Sequence, residues 1–240
     1  MSKALVQPPS SDEIRSMFDH LAGRYDLFNH LTSAGMAGRW RGWTLEPVRP
    51  GMRVLDLGCG TGDLSLGAAR KVGDGGQVVG LDFSEPMLAV ARRRLEKGNG
   101  AFAGRVRFVR EKAESLPIEE RLYDVVVSGF VLRNLYENIR PILSGVYRSL
   151  KDGGQISFLD MTDPEQPWKR FLWRAYMNFI PALYGRVLFG KEYPRLYITE
   201  SAKRFLRAPE FVKTLEAAGF KRVRTRSFLC GVITLYQAVK

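Results

Sequence analysis

The stretch Val54-Leu55-Asp56-Leu57-Gly58-Cys59-Gly60-Thr61-Gly62-Asp63 decides how this chain is read. An apolar run of strand length enters glycines at every second position, and a helical pattern follows at once. Glycine lets a backbone turn sharply and lie close against a ligand. The helix start behind the turn offers N–H groups without helical partners, which is a seat for an anion such as a carboxylate. The spacing is G-x-G-x-G, whereas dinucleotide turns carry G-x-G-x-x-G. That difference favours S-adenosylmethionine, with Gly58, Gly60, Thr61 and Gly62 forming its turn. Asp56, at the strand's end, is expected to orient the loop or to take the cofactor's ammonium.

Working outward, short apolar runs at 53–57, 77–82, 106–110, 123–128 and 155–160 are joined by turns and helical or linking stretches. This βαβ alternation predicts a parallel sheet covered on both faces. Two closing runs, 222–228 and 232–239, read as a terminal hairpin. The expectation is a Rossmann-like α/β fold with a seven-stranded, mostly parallel sheet and an antiparallel last strand. A helical pattern at 208–218 ends at Gly219 as a C-terminal cap. The second strand ends in Leu81-Asp82-Phe83-Ser84. An acid there, about 20 residues past a glycine turn, can hold both ribose hydroxyls. Phe83 belongs to the same cofactor site, Ser84 reads as the next helix's N-cap with Pro86 in its first turn, and Met87 would pack on the adenine. Lys112, Ala113 and Glu114, after the third strand, lie where a loop would meet the adenine edge.

The 240 residues carry 37 Lys and Arg against 25 Asp and Glu, a net charge of +12. Such a field attracts anionic lipid, nucleic acid or acidic substrates, and it also describes an ordinary solvated surface. Cys59 and Cys230 make no disulfide framework, and His20 and His30 with no clustered thiols make no metal site. The opening MSKALVQPPSSDE lacks the apolar run of a secretory leader, and no membrane-spanning apolar stretch exists, so a cytoplasmic location is expected. One domain over residues 1–240 is expected, with helices within 1–45 (at 12–31 and 36–45) over the active site and an insertion at 160–205 covering the substrate.

The sequence resembles the ubiquinone/menaquinone-biosynthesis C-methyltransferases over nearly its whole length. The likeness is carried by Met17-Phe18-Asp19, Tyr25-Asp26, Asn29 and Trp40, by the glycine turn, and by Phe130-Val131-Leu132-Arg133-Asn134-Leu135. It continues in Tyr147-Arg148-Ser149-Leu150-Lys151-Asp152-Gly153-Gly154 and in Tyr197-Ile198-Thr199-Glu200-Ser201. Val131 stands where that family has glycine, Gly129 where it has a serine against the cofactor, and Lys112 where it has Asn or Asp. The resemblance implies methylation of a ring carbon of a polyprenylated quinol, with Arg133 and Tyr25 as catalytic residues beside the ring. It also implies Asn134, Tyr197, Glu200 and Ser201 as acceptor contacts.

A neutral hydroquinone is a poor carbon nucleophile, and its phenolate is a good one. Arginine stays charged in proteins, so Arg133 would stabilise the phenolate and position a proton-accepting water. The run Trp168-Lys169-Arg170-Phe171-Leu172-Trp173-Arg174 mixes bases with large apolar groups, which suits a lid that grazes a lipid headgroup layer. A peripheral membrane contact is therefore expected, and a homo-oligomer is compatible with the sequence. The competing readings are a methyltransferase for another lipid, such as phosphatidylethanolamine N-methylation, a catalytically silent cofactor-binding regulator, and an RNA methyltransferase. The last is the weakest, because the chain carries no RNA-binding module and no Pro-Pro-Tyr-type tetrapeptide for a base amine.

Overall fold

The computed structural model describes residue 16, residues 18–98, 102, 104–115, 121–190 and 207–240. Two short helices, α1 (Tyr25–Thr32) and α2 (Ala37–Thr44), precede the sheet. Then follow β1 (Arg53–Leu57), α3 (Asp63–Val72), β2 (Gln77–Asp82), α4 (Glu85–Lys97), β3 (Val106–Arg110) and β4 (Tyr123–Gly129). The chain continues as α5 (Ile139–Ser149), β5 (Leu150–Met161), α6 (Pro167–Phe189), α7 (Ala208–Ala217), β6 (Lys221–Phe228) and β7 (Ile233–Val239).

The seven strands are ordered β3-β2-β1-β4-β5-β7-β6. The first five run parallel, and β7 lies antiparallel between β5 and β6. The side-chain alternation of each strand feeds two cores. Leu55, Leu57, Val126, Ile156 and Phe158 meet α5 and α7 on one face. Val54, Val78, Val125 and Val127 meet Leu64, Ala68 and Val72 of α3 on the other. A strand buried on both faces has no polar side to display, so these segments read as continuous apolar runs.

Two expectations are corrected. Residues 12–31 do not form one helix: among the described residues, the chain turns at 22–24 before α1 begins. Exposed Gly23 favours the break, and Arg24 leaves helical geometry at φ −123 while its N–H closes a tight turn on the Leu21 carbonyl. Strand β5 starts at residue 150 rather than 155, because Leu150 pairs with Tyr123 and Gly153, at φ +75, absorbs the register shift that follows.

The chain order reverses around β1, which is flanked by β2 on one side and β4 on the other. In an open α/β sheet the crevice outside the strands' carboxyl ends at such a switch point is where ligands bind.

Candidate active site

The β1–α3 turn occupies that crevice. The N–H groups of Gly58 and Cys59 both donate to the Leu81 carbonyl, which ties the turn to the end of β2. Gly58 has φ +70, and a Cβ there would lie 2.5 Å from the side chain of Val131, so no larger residue fits. Gly60 has φ +53, and a Cβ there would meet nothing within 4 Å, because it would enter the open cavity instead. Asp82 closes the arrangement: one carboxylate oxygen accepts from the Gly60 N–H at 2.8 Å and the other from the Ser84 N–H at 2.9 Å. Ser84 caps α4, accepting from the Met87 N–H, as its position predicts.

Asp56 lies fully buried behind the turn. One oxygen accepts from the Ser65 hydroxyl at 2.6 Å, and the other has no hydrogen-bond partner. Burial pushes its carboxyl up to about 7, with the Ser65 hydrogen bond pulling the other way. An unpaired buried oxygen is costly, and an incoming ammonium would relieve that cost. The residues therefore fit S-adenosylmethionine. The orphaned oxygen of Asp56 suits its ammonium, the start of α3 its carboxylate, and Asp82 its ribose.

Two cavities meet at this point. The first, of about 130 Å³, is lined by Asp56, Gly58, Gly60, Thr61, Asp82, Phe83, Met87, Lys112, Ala113 and Gly129. These are the cofactor residues expected from the sequence, apart from Gly62. Gly62 instead begins α3 at φ +84, packed 3.0 Å from Ala91 and Phe108 by its absent Cβ. The second cavity, of about 410 Å³, is apolar, walled by Leu21, Phe28, Trp40, Trp173, Met177 and Ile233. Tyr25, Asn29, Arg41, Phe18 and Phe130 line both and mark the junction.

Arg133 lines the apolar cavity, whereas Asn134, expected at the acceptor, lines the cofactor cavity. Both sit in a single 3₁₀ turn, Leu132–Asn134, in which neighbouring side chains point about 120° apart. Tyr197, Glu200 and Ser201 lie outside the described residues. His20 bonds the Ser16 carbonyl on the surface, and neither histidine lines either cavity.

The guanidinium of Arg133 is buried against Asp160, which is itself fully buried. Its Nη1 donates to Asp160 at 2.9 Å and to the Phe130 carbonyl at 2.7 Å, and the Arg133 backbone N–H donates to the other Asp160 oxygen at 3.1 Å. Asp160 was not found from the sequence; its position at the carboxyl end of a buried strand was the available signal. Also missed was a cluster of charges on separate elements. The Thr61 hydroxyl donates to Asp26 at 2.7 Å, Arg94 pairs with Asp26 at 2.9 Å and with Asp63, and Arg41 pairs with Asp63 at 2.7 Å.

Comparison with known proteins identifies the family and the fold. The family model of the ubiE/COQ5 methyltransferase family matches residues 7–240. The demethylmenaquinone methyltransferase of Lactiplantibacillus plantarum is 33% identical over 230 residues, covering 95% of both chains. That of Bacillus cytotoxicus is 32% identical over 238 residues, covering 98% of both. Among solved structures, a SAM-dependent methyltransferase from Aquifex aeolicus superposes with TM-score 0.61 at 20% identity, covering 94% of this chain and 97% of that one. A phosphoethanolamine N-methyltransferase 2 of Haemonchus contortus, holding S-adenosyl-L-methionine, does so with TM-score 0.61 at 18% identity over 86% of this chain and 53% of that one. These last two share the fold. The chain belongs to the ubiE/COQ5 methyltransferase family and is an S-adenosylmethionine-dependent methyltransferase.

Proposed function

We propose that the chain methylates a ring carbon of a polyprenylated naphthoquinol drawn from a membrane surface. The observation that carries this reading is the apolar cavity of about 410 Å³ that meets the glycine-turn cavity at Tyr25, with the Arg133–Asp160 pair in its wall. The names of the relatives support a naphthoquinol over a benzoquinol.

S-adenosylmethionine, when bound, supplies an electrophilic sulfonium methyl. The chain's own residues must make the ring carbon nucleophilic, hold it near attack distance, and let the hydrogen that the methyl displaces leave as a proton to water, which restores the aromatic ring. Arg133 stabilises the negative oxygen of the phenolate and orients a water that takes the hydroxyl proton. Asp160 holds the guanidinium at a fixed place and offsets the cost of burying it in the cavity wall. Tyr25, which lines both cavities, would hydrogen-bond that water or the ring hydroxyl. Trp40, Phe130 and Trp173 wall the ring with apolar surface, while α1 and α6 roof it. N-methylation of an amine would need neither a phenolate stabiliser nor this many aromatic walls.

A contact with lipid is supported by α6. Trp168, Leu172, Tyr176, Phe179, Leu183 and Val187 recur at steps of three and four and are exposed, Phe179 to 73%. Trp168, Leu172 and Tyr176 also line the apolar cavity, so the stripe borders it. Arg170 and Arg174 turn back to Asp163, at 2.9 and 3.8 Å, and Lys169 lies over the Trp168 ring. The stripe's apolar groups, more than its bases, would then enter the headgroup layer. No helix among the described residues is long and apolar enough to cross a membrane.

The test is an acceptor panel: labelled S-adenosylmethionine with a reduced prenylated naphthoquinol, a reduced prenylated benzoquinol and phosphatidylethanolamine, each in vesicles. Label in the naphthoquinol well above the others is expected. Label in phosphatidylethanolamine alone overturns the reading.

A further inference from the structure

Asp26 lines neither cavity, yet it joins the element that divides them to the turn that binds the cofactor. Helix α1 has eight residues and no side-chain cap at its start. A helix this short is marginal by itself, so what it is seated on decides whether it forms. On one side it rests on α6. Tyr176 donates its hydroxyl to the Thr32 carbonyl, Arg24 donates to the Leu188 carbonyl, and the rings of Phe28 and Phe189 meet edge-on at 5.7 Å. On the other side Asp26 provides the link. Its two oxygens accept from the Thr61 hydroxyl at 2.7 Å and from Arg94 at 2.9 Å, and Arg94 also donates to the Thr61 carbonyl at 3.0 Å. Thr61 lines the cofactor cavity, and Tyr25, the neighbour of Asp26, lines both.

We propose that Asp26 is a positioning residue that seats α1 on the glycine turn, so that binding of the cofactor and closure of Tyr25 over the acceptor cavity are coupled. A ligand that fixes the turn fixes Thr61, and Thr61 fixes Asp26. The ion pair with Arg94 is partly solvent-exposed, so it adds little to global stability. Its effect is read in the coupling between the two sites. The inference rests on the proposed cofactor and acceptor cavities.

Hydrogen exchange of the α1 amides in the full chain tests it, with and without saturating S-adenosylhomocysteine, whose binding is measured separately by calorimetry. In the wild type the ligand is expected to slow α1 exchange by about tenfold or more, a coupling of ordinary size. In Asp26→Ala the ligand still binds, but α1 exchanges at its ligand-free rate while β1 and α3 remain protected. Asp26→Asn, which keeps an acceptor for Thr61 without the charge, should fall between the two, and it carries the test if the alanine variant does not fold. Because coupling is reciprocal, Asp26→Ala should weaken S-adenosylhomocysteine binding in calorimetry by about the factor by which the ligand slows α1 exchange in the wild type, an equality that general destabilisation would not produce. Equal protection of α1 in wild type and Asp26→Ala overturns the proposal while leaving the cofactor site standing. Absence of any binding heat in the wild type would instead remove the cofactor reading on which it rests.

Discussion

The two cavities that meet at Tyr25 are built by opposite means. The cavity proposed for the cofactor is made of backbone and carboxylates held by the sheet: a glycine turn, the end of β2 and two buried aspartates. The cavity proposed for the acceptor is made of large apolar side chains from α1, α2, α6 and the β6–β7 turn, with one buried ion pair in its wall. A polar ligand can be read by rigid backbone groups and carboxylates. A greasy ligand needs only volume and a single anchored charge. The two sides should therefore separate cleanly under mutation, the first answering in cofactor affinity and the second in turnover.

The sharpest break should come at Arg133. Arg133→Ala is expected to lower kcat on the order of 10²-fold with cofactor affinity nearly unchanged, since the guanidinium lies outside the cofactor cavity. It should also cost about 3–5 kcal/mol of stability, because it leaves Asp160 buried and unpaired. Denaturant titration reads the second effect and single-turnover kinetics the first. Arg133→Lys should rescue only partly, since one ammonium cannot reproduce the planar fork of the guanidinium. Near-normal turnover in a folded Arg133→Ala variant would move the chemistry elsewhere, with Tyr25 next in line.

Asp82→Ala tests the other side. A loss of about 1–3 kcal/mol in cofactor binding is expected by calorimetry, with binding of an acceptor analogue untouched. Equal loss at both sites would show that the separation is false.

A smaller, continuous effect should come from pH. The carboxyl of Asp56 titrates near 7 in the folded chain against an ordinary value of 3.8. Its ionised form is the one that receives an ammonium, so cofactor affinity should rise with pH through about 7 and then level off, by at most about tenfold per unit. In the absence of cofactor the sign reverses. The folded state holds this proton more tightly than the unfolded state, so the stability it adds is full below the ordinary value and is lost as pH rises through about 7. Asp56→Asn should flatten both profiles, and thermal melts with and without S-adenosylhomocysteine across that range would check them.

The smallest effect expected is on lipid. Vesicle sedimentation should show a preference for anionic membranes of no more than about 1 kcal/mol per basic residue that reaches them, because Arg170 and Arg174 are engaged with Asp163. Phe179→Ser or Leu183→Ser should weaken binding to neutral and anionic vesicles alike. Indifference to these changes would detach the stripe from the membrane.

How far the sequence could be read follows the same division. The central strands β1, β2, β4 and β5 were legible because a segment buried on both faces is largely apolar, whereas exposed β6 was read only as the partner of the apolar last run; glycines, Ser84 and Gly219 marked where elements turn. The residues expected at the cofactor line a single cavity because they lie at the ends of successive strands. Of the apolar cavity, only Arg133, Tyr25 and the 168–174 run were legible, the first two through the resemblance and the third through its mixture of bases and aromatics. Its walls come from segments far apart in the chain, and no periodicity announces that Trp40 and Trp173 share a cavity. Asp160 stands 27 residues from Arg133, and Asp26 stands 35 from Thr61; such pairings exist only once the sheet has formed. The break at 22–24, which sets α1 between the two ligands, follows from packing more than from any local signal beyond Gly23.

The central claim is that a methyl group passes from the polar cavity to a ring carbon in the apolar one. The most direct measurement combines the purified chain with S-adenosylmethionine carrying a carbon-13 methyl and a reduced prenylated naphthoquinol, followed by NMR of the extracted lipid. The account predicts a single labelled methyl on the ring carbon beside the prenyl chain, formed by wild type and severely reduced in Arg133→Ala. Label on a quinol oxygen, on another lipid, or undiminished in Arg133→Ala would contradict it.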